Sequence, residues 1–447
     1  MTKKKINFFL RLINNTVIIF ISFLIVLTIA NIIFYNIYLV KRPDLISLNG
    51  TFLLSKISNG FGEIIDKLLK GETPYLLWAG EIKLYTARNL LLPYYLILLD
   101  KIALNNFLAI LLIKNISFGI ILFSIIKNFN KNYNNLYVIF ALFLIYYLPF
   151  NNQISFGIEN EEGLLNYLII ILFFILISEF KKKSIFLSLA LSSIFFLKGS
   201  MFFLTFFISI IYFFIEKKDR LRYLPFLIVA ISNIIWGAYT YNVVGYFAFG
   251  TKGSSMSASN LYMISTKKFN ISYPDVVPDV YLYRVKEKII KDDIKNEKEF
   301  TNNLIKSSIK FIKDDPINFL YGVTKRIYVL MFNPFKDAQW PNNYKLFEGN
   351  FDPNISQSNN PLRISNIINK LIFNISLIVV FYQLFIPTNK KNSKKIDYYY
   401  ISILVLYLFP YIIAWIYDRH SSSIYIISHL YLLLKFLEKK NYFLFRN

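Results

Sequence analysis

The chain has 447 residues, of which 55% are hydrophobic and 18% aromatic, and its formal net charge is +23. That apolar content excludes an ordinary soluble domain, and apolar runs of about 20 residues point to helices that cross a bilayer, because a helix satisfies its own backbone in lipid. The absence of cysteine excludes disulfides, thiolate metal sites and a cysteine nucleophile, and two histidines, His420 and His429, are too few for a histidine metal site.

The first expected span covers about 13–39, behind Lys3, Lys4, Lys5 and Arg11. It is too long for a removed signal peptide and lacks a small-residue cleavage site. Residues 41–90 are polar and mixed, a first outer loop. The segment 90–104, with Pro93, Asp100 and Lys101, reads as a helix at or dipping into the interface. Spans follow at about 106–126, 136–150, 163–178, 184–197, 200–215 and 223–247, then a hydrophilic stretch over 248–365, then spans at about 366–386, 398–416 and 421–437. The fold expected is therefore an all-α polytopic membrane protein with about ten transmembrane helices, juxtamembrane helices on the outer face and a large extracytoplasmic loop. Its units are 1–247, 248–365 and 366–447. Within the long loop, Phe300, Leu304, Ile305, Ile309 and Ile312 recur at near-helical spacing with lysines between them, Asp315-Pro316 breaks the helix, and a second amphipathic run follows. Basic amphipathic helices of this kind lie along a bilayer surface, and a small soluble subdomain fits 260–300 about equally well.

An even number of spans puts both termini on one side. Lys127 and Lys131, Lys181 to Lys183, the Lys217–Arg222 cluster, the Lys390–Lys395 cluster, and Lys435, Lys439 and Lys440 all fall on the side of the N-terminus, which the positive-inside rule makes cytoplasmic. The expected location is thus the cell (inner) membrane, multi-pass, with both termini cytoplasmic. Charge placed this way is a topology signal and not a nucleic-acid face, and there is no Gly-rich phosphate loop. The outer face collects Asp44, Glu63, Asp66, Glu159, Glu161, Glu162, Lys198, Asp418, Arg419 and His420.

An ionisable group near mid-bilayer costs about 2.5–3.5 kcal/mol on insertion scales, so one kept there usually has a task. Lys114 is the deepest such group; it either snorkels outward or faces the bundle interior as a cation that holds an anion. Glu159, Glu161 and Glu162 precede a span, where the helix dipole favours them, yet three carboxylates so close repel unless a cation or substrate answers them. Asp44 is either a turn residue after Pro43 or a base, and Arg88 either touches lipid headgroups or a substrate. Carboxylates and cations together on one face beside lipid suit transfer of a group from a lipid-linked phosphate to a hydroxyl: cations stabilise the departing anion, and a carboxylate takes the proton of the attacking hydroxyl.

The segment "YTARNLLLPYYLILLDKIALNNFLAILLIKNI" resembles the stretch after the first outer loop of GT-C glycosyltransferases, polytopic enzymes that include protein O-mannosyltransferases and the aminoarabinose transferase of lipid A. Bacterial members read like Gly-Arg-x-Pro-Leu-Tyr-Pro, a short apolar helix, then Ala-Arg-Leu; Arg88 and Pro93 match the first part and Lys114 stands where the second Arg is usual. In the family's order, "EEGLLNYLIIILFFIL" resembles a Glu-Pro-Leu-Phe span start and aligns Glu162, while "SLALSSIFFLKGSMFFL" resembles a Gly-Leu-x-x-Leu-Thr-Arg-Pro turn and aligns Lys198. "WGAYTYNVVGYFAFGTKGSSMSASNLY" resembles Pro-Trp-x-x-Arg-Asn-Tyr-x-x-x-Gly, aligning Asn242 and Gly245, and "DRHSSSIYIISH" resembles Arg-Tyr-x-x-Pro-x-x-Pro, aligning Arg419. The chain departs from the pattern where Leu45 follows Asp44 in place of a second acid, where Lys replaces Arg at 198 and 114, and where Tyr241 precedes Asn242.

The resemblance implies an inverting glycosyltransferase that moves a sugar from a polyprenyl-phosphate donor to a lipid, glycan or protein acceptor on the outer face. It implies Asp44 as general base, with Glu63 and Asp66 as stand-ins, and Glu162 orienting the site. Arg88, Lys114, Lys198 and Arg419 are implied as donor-binding residues, with neither a metal nor another cofactor; His420, beside Arg419, either contacts the phosphate or has a structural role. Membrane lipids are the expected partners and nucleic acid is not. Other readings are a polymerase or ligase of lipid-linked glycans, a transporter, for which no inverted repeat or mid-membrane helix break is visible, and a non-catalytic scaffold.

Overall fold

The computed structural model describes residues 16–41, 45, 51–57, 60–78, 82–129, 148, 151, 157–158, 161–178, 182–249, 255–265, 296–332, 361–385, 391–413 and 418–444. Most of the apolar runs are helices: α1 (Thr16–Lys41), α4 (Phe107–Phe129), α5 (Glu161–Ile177), α6 (Lys183–Leu197), α7 (Phe202–Ile215), α8 (Leu224–Val244), α12 (Pro361–Phe385), α13 (Lys391–Ile413) and α14 (Asp418–Leu444). Among the described residues three stretches, Leu224–Val244, Ile364–Phe385 and Lys394–Ile413, are long and apolar enough to cross a membrane; Phe20–Asn36, Phe107–Ile121, Lys183–Leu197 and Gly199–Ile215 are apolar but shorter. The run expected at 136–150 lies outside the described residues apart from Leu148.

Helix α5 is buried along its whole length, as a helix apolar on every side must be. It is the axis on which α4, α6, α13 and α14 pack. Short polar contacts fix the register of these helices. Tyr167 on α5 donates to Asn115 Oδ1 on α4 at 2.8 Å, and the Asn115 amide donates to Asn31 on α1. Ser422 and Ser423 on α14 donate to Asn166 Oδ1 on α5 at 2.9 and 2.6 Å. In a surround without water, such bonds align helices that apolar contact alone lets slide.

The chain turns at two ends of this bundle. One end carries the start of α5, the Lys198–Met201 link between α6 and α7, and the ends of α13 and α14 that meet there. The other end carries the start of α6, the 216–223 link and the start of α13, joined where Lys183 and Lys395 both reach Glu216, at 3.1 and 2.6 Å.

Beside the first end sit the remaining elements: α2 (Phe61–Leu69), α3 (Leu91–Ile102), α9 (Ser255–Ser265), α10 (Glu297–Asp314), α11 (Pro316–Met331) and a two-stranded antiparallel ribbon, β1 (Leu76–Trp78) and β2 (Ile82–Leu84), with Leu76 opposite Leu84 and Trp78 opposite Ile82. The chain is mostly helical, as expected, and this short ribbon is the addition the sequence did not announce. Ile82 and Leu84 are buried and Lys83 is exposed, so the period is two, but three residues are too few to announce it. Ile82, Leu84, Ala87, Ala258, Phe300 and Leu304 form a satellite core. α9 and α10 pack together through this core, while α11 leaves Ile317, Leu320, Tyr321 and Tyr328 exposed; residues 266–295 lie outside the described residues. Gly245, aligned by the family resemblance, ends α8 with φ +77° and donates its N–H to Tyr241 O at 3.0 Å. That is the left-handed helix stop glycine makes without strain, a structural reason for the residue.

Candidate active site

Lys198 caps the end of α6 in an extended conformation, with its N–H on Ile194 O. Its side chain turns onto the first residues of α5, where Nζ touches Glu162 Oε1 and lies 3.4 Å from Glu161 Oε2. The two glutamates sit on the positive end of the α5 dipole, which offsets part of their repulsion. Burial pulls the Lys198 ammonium down, but Glu162 and Glu161 outweigh it and hold the group above its ordinary value. His420, in the first turn of α14, brings Nε2 to 3.4 Å from the same Glu162 Oε1. Its ring stacks on Tyr411 at 4.5 Å, and Lys198 Nζ lies 5.5 Å from the centre of the Tyr411 ring. Tyr407 donates to His420 O at 2.8 Å and fixes where α14 begins.

Two braces from the outer elements hold the borders of this cluster. Glu297, at the start of α10, accepts from Tyr85 N at 2.6 Å, Thr86 N at 3.0 Å and Thr86 Oγ1 at 2.6 Å. Burial pushes its carboxyl up, against the pull of those donors. The loop so held continues to Asn89, which donates to Phe195 O at 2.9 Å and lies against Gly199, next to Lys198. On the other side, buried Arg326 of α11 donates Nε to Ile412 O at 2.5 Å and Nη2 to Ile413 O at 3.4 Å. It caps the last turn of α13, the turn that carries Tyr411.

Of the residues singled out from the sequence, Glu162, Lys198 and His420 meet directly. Glu161 joins them; it was one of the clustered carboxylates, but the resemblance did not align it. Asp44 and Glu159 lie outside the described residues, as do the side chains of Asp418 and Arg419. Arg88 lies over the Phe61 ring at 5.4 Å, in the loop Glu297 holds. Lys114 does not snorkel: it is 2% exposed, and Nζ donates to Gly157 O at 2.6 Å, four residues before Glu161. Asp66 pairs at the surface with Lys70 at 2.6 Å and joins no cluster with Lys198. Tyr407, Tyr411, Glu297 and Arg326 were missed. Among the described residues no group of His, Asp and Glu has the makings of a metal site.

No family model, curated protein or solved structure matches the chain. Its chemistry is therefore argued from the side chains alone. One carboxylate oxygen bound at once by an ammonium and an imidazole, in a nearly dry corner, is an arrangement that can accept, hold or pass a proton and order polar groups of a substrate.

Proposed function

We propose that the chain is a membrane glycosyltransferase that moves a sugar from a polyprenyl-phosphate donor to the hydroxyl of an acceptor, working at the bundle end that holds Lys198. One observation carries the reading: Glu162, Lys198 and His420, from three distant stretches, converge on one oxygen atom beside the loop that bears Arg88. The family resemblance aligns Glu162 and Lys198 in this order and then Arg419, the residue before His420. The proposed architecture has about ten spans, counted from apolar runs of about 20 residues. Both termini are cytoplasmic and the site is extracytoplasmic, as the lysine clusters at the opposite end favour.

In this reading the donor arrives lipid-linked and needs no nucleotide site. Arg88 and Arg419 take the phosphate, whose charge grows as the glycosidic bond breaks. Asp44 is the base for the acceptor hydroxyl, and Glu162 orients Lys198 and His420.

The test is transfer of labelled sugar from polyprenyl-monophosphate carriers in membranes that contain the chain, together with mass analysis of surface glycolipids, glycans and glycoproteins after deletion of the gene. Loss of one sugar from one product class, and loss of transfer in Glu162→Gln and Arg419→Ala, is the expected result. Unchanged products, or full transfer in both variants, would sink the proposal.

A further inference from the structure

At the bundle end opposite Lys198 the described carboxylates are all engaged, and cations remain on the surface. Glu216 takes Lys183 and Lys395, Asp219 accepts from Ser184 and Tyr212, and Asp397 takes Lys435. Lys182, Lys217, Lys218 and Arg220 are exposed, and among the described residues no carboxylate pairs with them. Arg222 lies over the Phe213 ring at 4.8 Å. The bonds from Lys183 and Ser184 to Glu216 and Asp219 hold Lys182 beside the 217–222 turn. The adjoining stretches 179–181, 390–391 and 438–440 add five lysines against two glutamates, so the basic balance extends along the chain.

The height of this patch says what it meets. Helix α8, long and apolar enough to cross a membrane, begins at Leu224, two residues after Arg222, and the apolar stretch of α13 begins at Lys394. The 217–222 turn therefore stands at the edge of the hydrocarbon, level with lipid phosphates. Phe214, Tyr223 and Phe226 are exposed on either side of it, and aromatic rings settle at that level. Beneath the turn the surface is apolar. Ser192 and Ser232 meet at 2.9 Å and set α6 and α8 side by side, and toward this end Phe186 and Leu189 on α6 and Leu227 and Ile231 on α8 are exposed. A soluble anion accounts for the cations and not for the apolar surface below them. A phospholipid accounts for both.

We infer that the 217–222 turn, with Lys182 beside it, binds an acidic phospholipid, the phosphate on Lys217, Lys218 and Arg220 and the acyl chains along α6 and α8. Lysines that only set topology act by their place in the sequence. Here the fold also gathers the starts of α6, α8 and α13 and turns their acids onto buried partners, which leaves the outer cations to the headgroup. The inference stands apart from the transferase reading.

The full chain in neutral detergent micelles is mixed with equal amounts of dioleoyl phosphatidylglycerol and dioleoyl phosphatidylcholine, repurified, and the lipid it keeps is measured by native mass spectrometry. One cation at the membrane surface is worth about fivefold in binding an acidic lipid. The wild type should hold phosphatidylglycerol over phosphatidylcholine by at least about tenfold. Lys217→Gln, Lys218→Gln and Arg220→Gln together should bring that ratio to within about twofold of unity. Lys217→Arg with Lys218→Arg keeps the charge and should keep the preference. The same charge removed from exposed positions on α10, by Lys306→Gln, Lys310→Gln and Lys313→Gln, should leave it intact. Should the triple variant at the turn fail to fold, Lys218→Gln alone, with an expected loss of about fivefold, takes its place. The inference falls if the wild type holds both lipids alike, if the turn variant keeps the preference, if the arginine pair loses it, or if the α10 variant loses it as fully. It falls too if inorganic phosphate displaces the lipid, which would make the turn a site for a free anion.

Discussion

The two ends of the helix bundle both join lysines to carboxylates, and they do so with opposite balance. At the far end Glu216 receives Lys183 at 3.1 Å, Lys395 at 2.6 Å and the Tyr399 hydroxyl at 3.2 Å. Burial pushes its carboxyl up, but the two ammonium groups outweigh that and hold it below its ordinary value. Asp397 takes Lys435 at 2.7 Å and Tyr431 at 2.7 Å. Nearby Asp219 accepts from Ser184, Tyr212 and the Leu221 N–H. Every carboxylate there has several donors, and the links run between helices far apart in sequence, the pattern of a structural stitch. At the near end the described contacts run the other way: one ammonium touches two glutamates, and a histidine shares an oxygen of one of them. The first arrangement ties helix to helix. The second gathers groups that can hold and pass a proton, which is why function is assigned to it.

The largest consequence follows from that difference. Lys198→Ala removes the ammonium that both Glu161 and Glu162 touch, and breaking a buried pair from one side costs about 3–5 kcal/mol. Lys395→Ala leaves Glu216 with Lys183 and Tyr399, and the loss should be nearer the 1–3 kcal/mol of a single charged hydrogen bond, about that size. Denaturant or thermal melting of the two variants side by side reads the difference; equal losses would mean that the two ends are built alike. Adding Glu161→Gln and Glu162→Gln to Lys198→Ala should recover much of the stability, since the uncompensated charges are then gone.

Alkaline pH sharpens the same contrast. Lys198 is held above its ordinary value of 10.5 in the folded chain. Its contribution is therefore complete below about pH 10.5 and fades as pH climbs through the folded value, where the folded chain keeps a proton that the unfolded chain has released. Melting temperature should fall along an alkaline limb in the wild type, and that limb should flatten in the Lys198→Ala, Glu161→Gln, Glu162→Gln triple variant. A limb unaltered in the triple variant would place the titrating group elsewhere.

Next in size is the brace at Glu297. A glutamine there puts an amide N–H where a carboxylate oxygen now meets the N–H of Tyr85 or Thr86, replacing a bond by a clash of donors. The expected loss is about 1–3 kcal/mol, with increased proteolysis around 85–89. An intact loop in Glu297→Gln would show that Asn89, through Phe195 O, holds it alone.

How much of this was legible in the sequence depends on whether the signal was charge or shape. Glu162 and Lys198 stood out because ionisable groups are scarce beside apolar runs, and the helices stood out because an apolar run of such length leaves few alternatives. Tyr407 and Tyr411 did not: in a chain with 33 tyrosines, two more inside an apolar run carry no mark. Arg326 was hidden in a basic amphipathic helix, where an arginine reads as a solvated cation, and only the fold shows it buried against the last turn of α13. Lys114 was open between two readings that differ by a rotation of its helix, and packing decided for the interior.

The smallest expected effect tests whether polar contacts between the ends matter as the ends do. Ser192 and Ser232 meet at 2.9 Å between α6 and α8, and Ser232 also returns its hydroxyl to Ile228 O at 2.9 Å. Because that local bond is available to Ser232 in the separated helix too, the contact between helices adds little: polar pairs in lipid average about 0.6 kcal/mol. Ser192→Ala should thus shift melting barely measurably, several-fold less than any change at Lys198 or Glu297. A loss as large as theirs would mean that the middle of the bundle, and not its charged ends, sets how α6 delivers Lys198 to the glutamates.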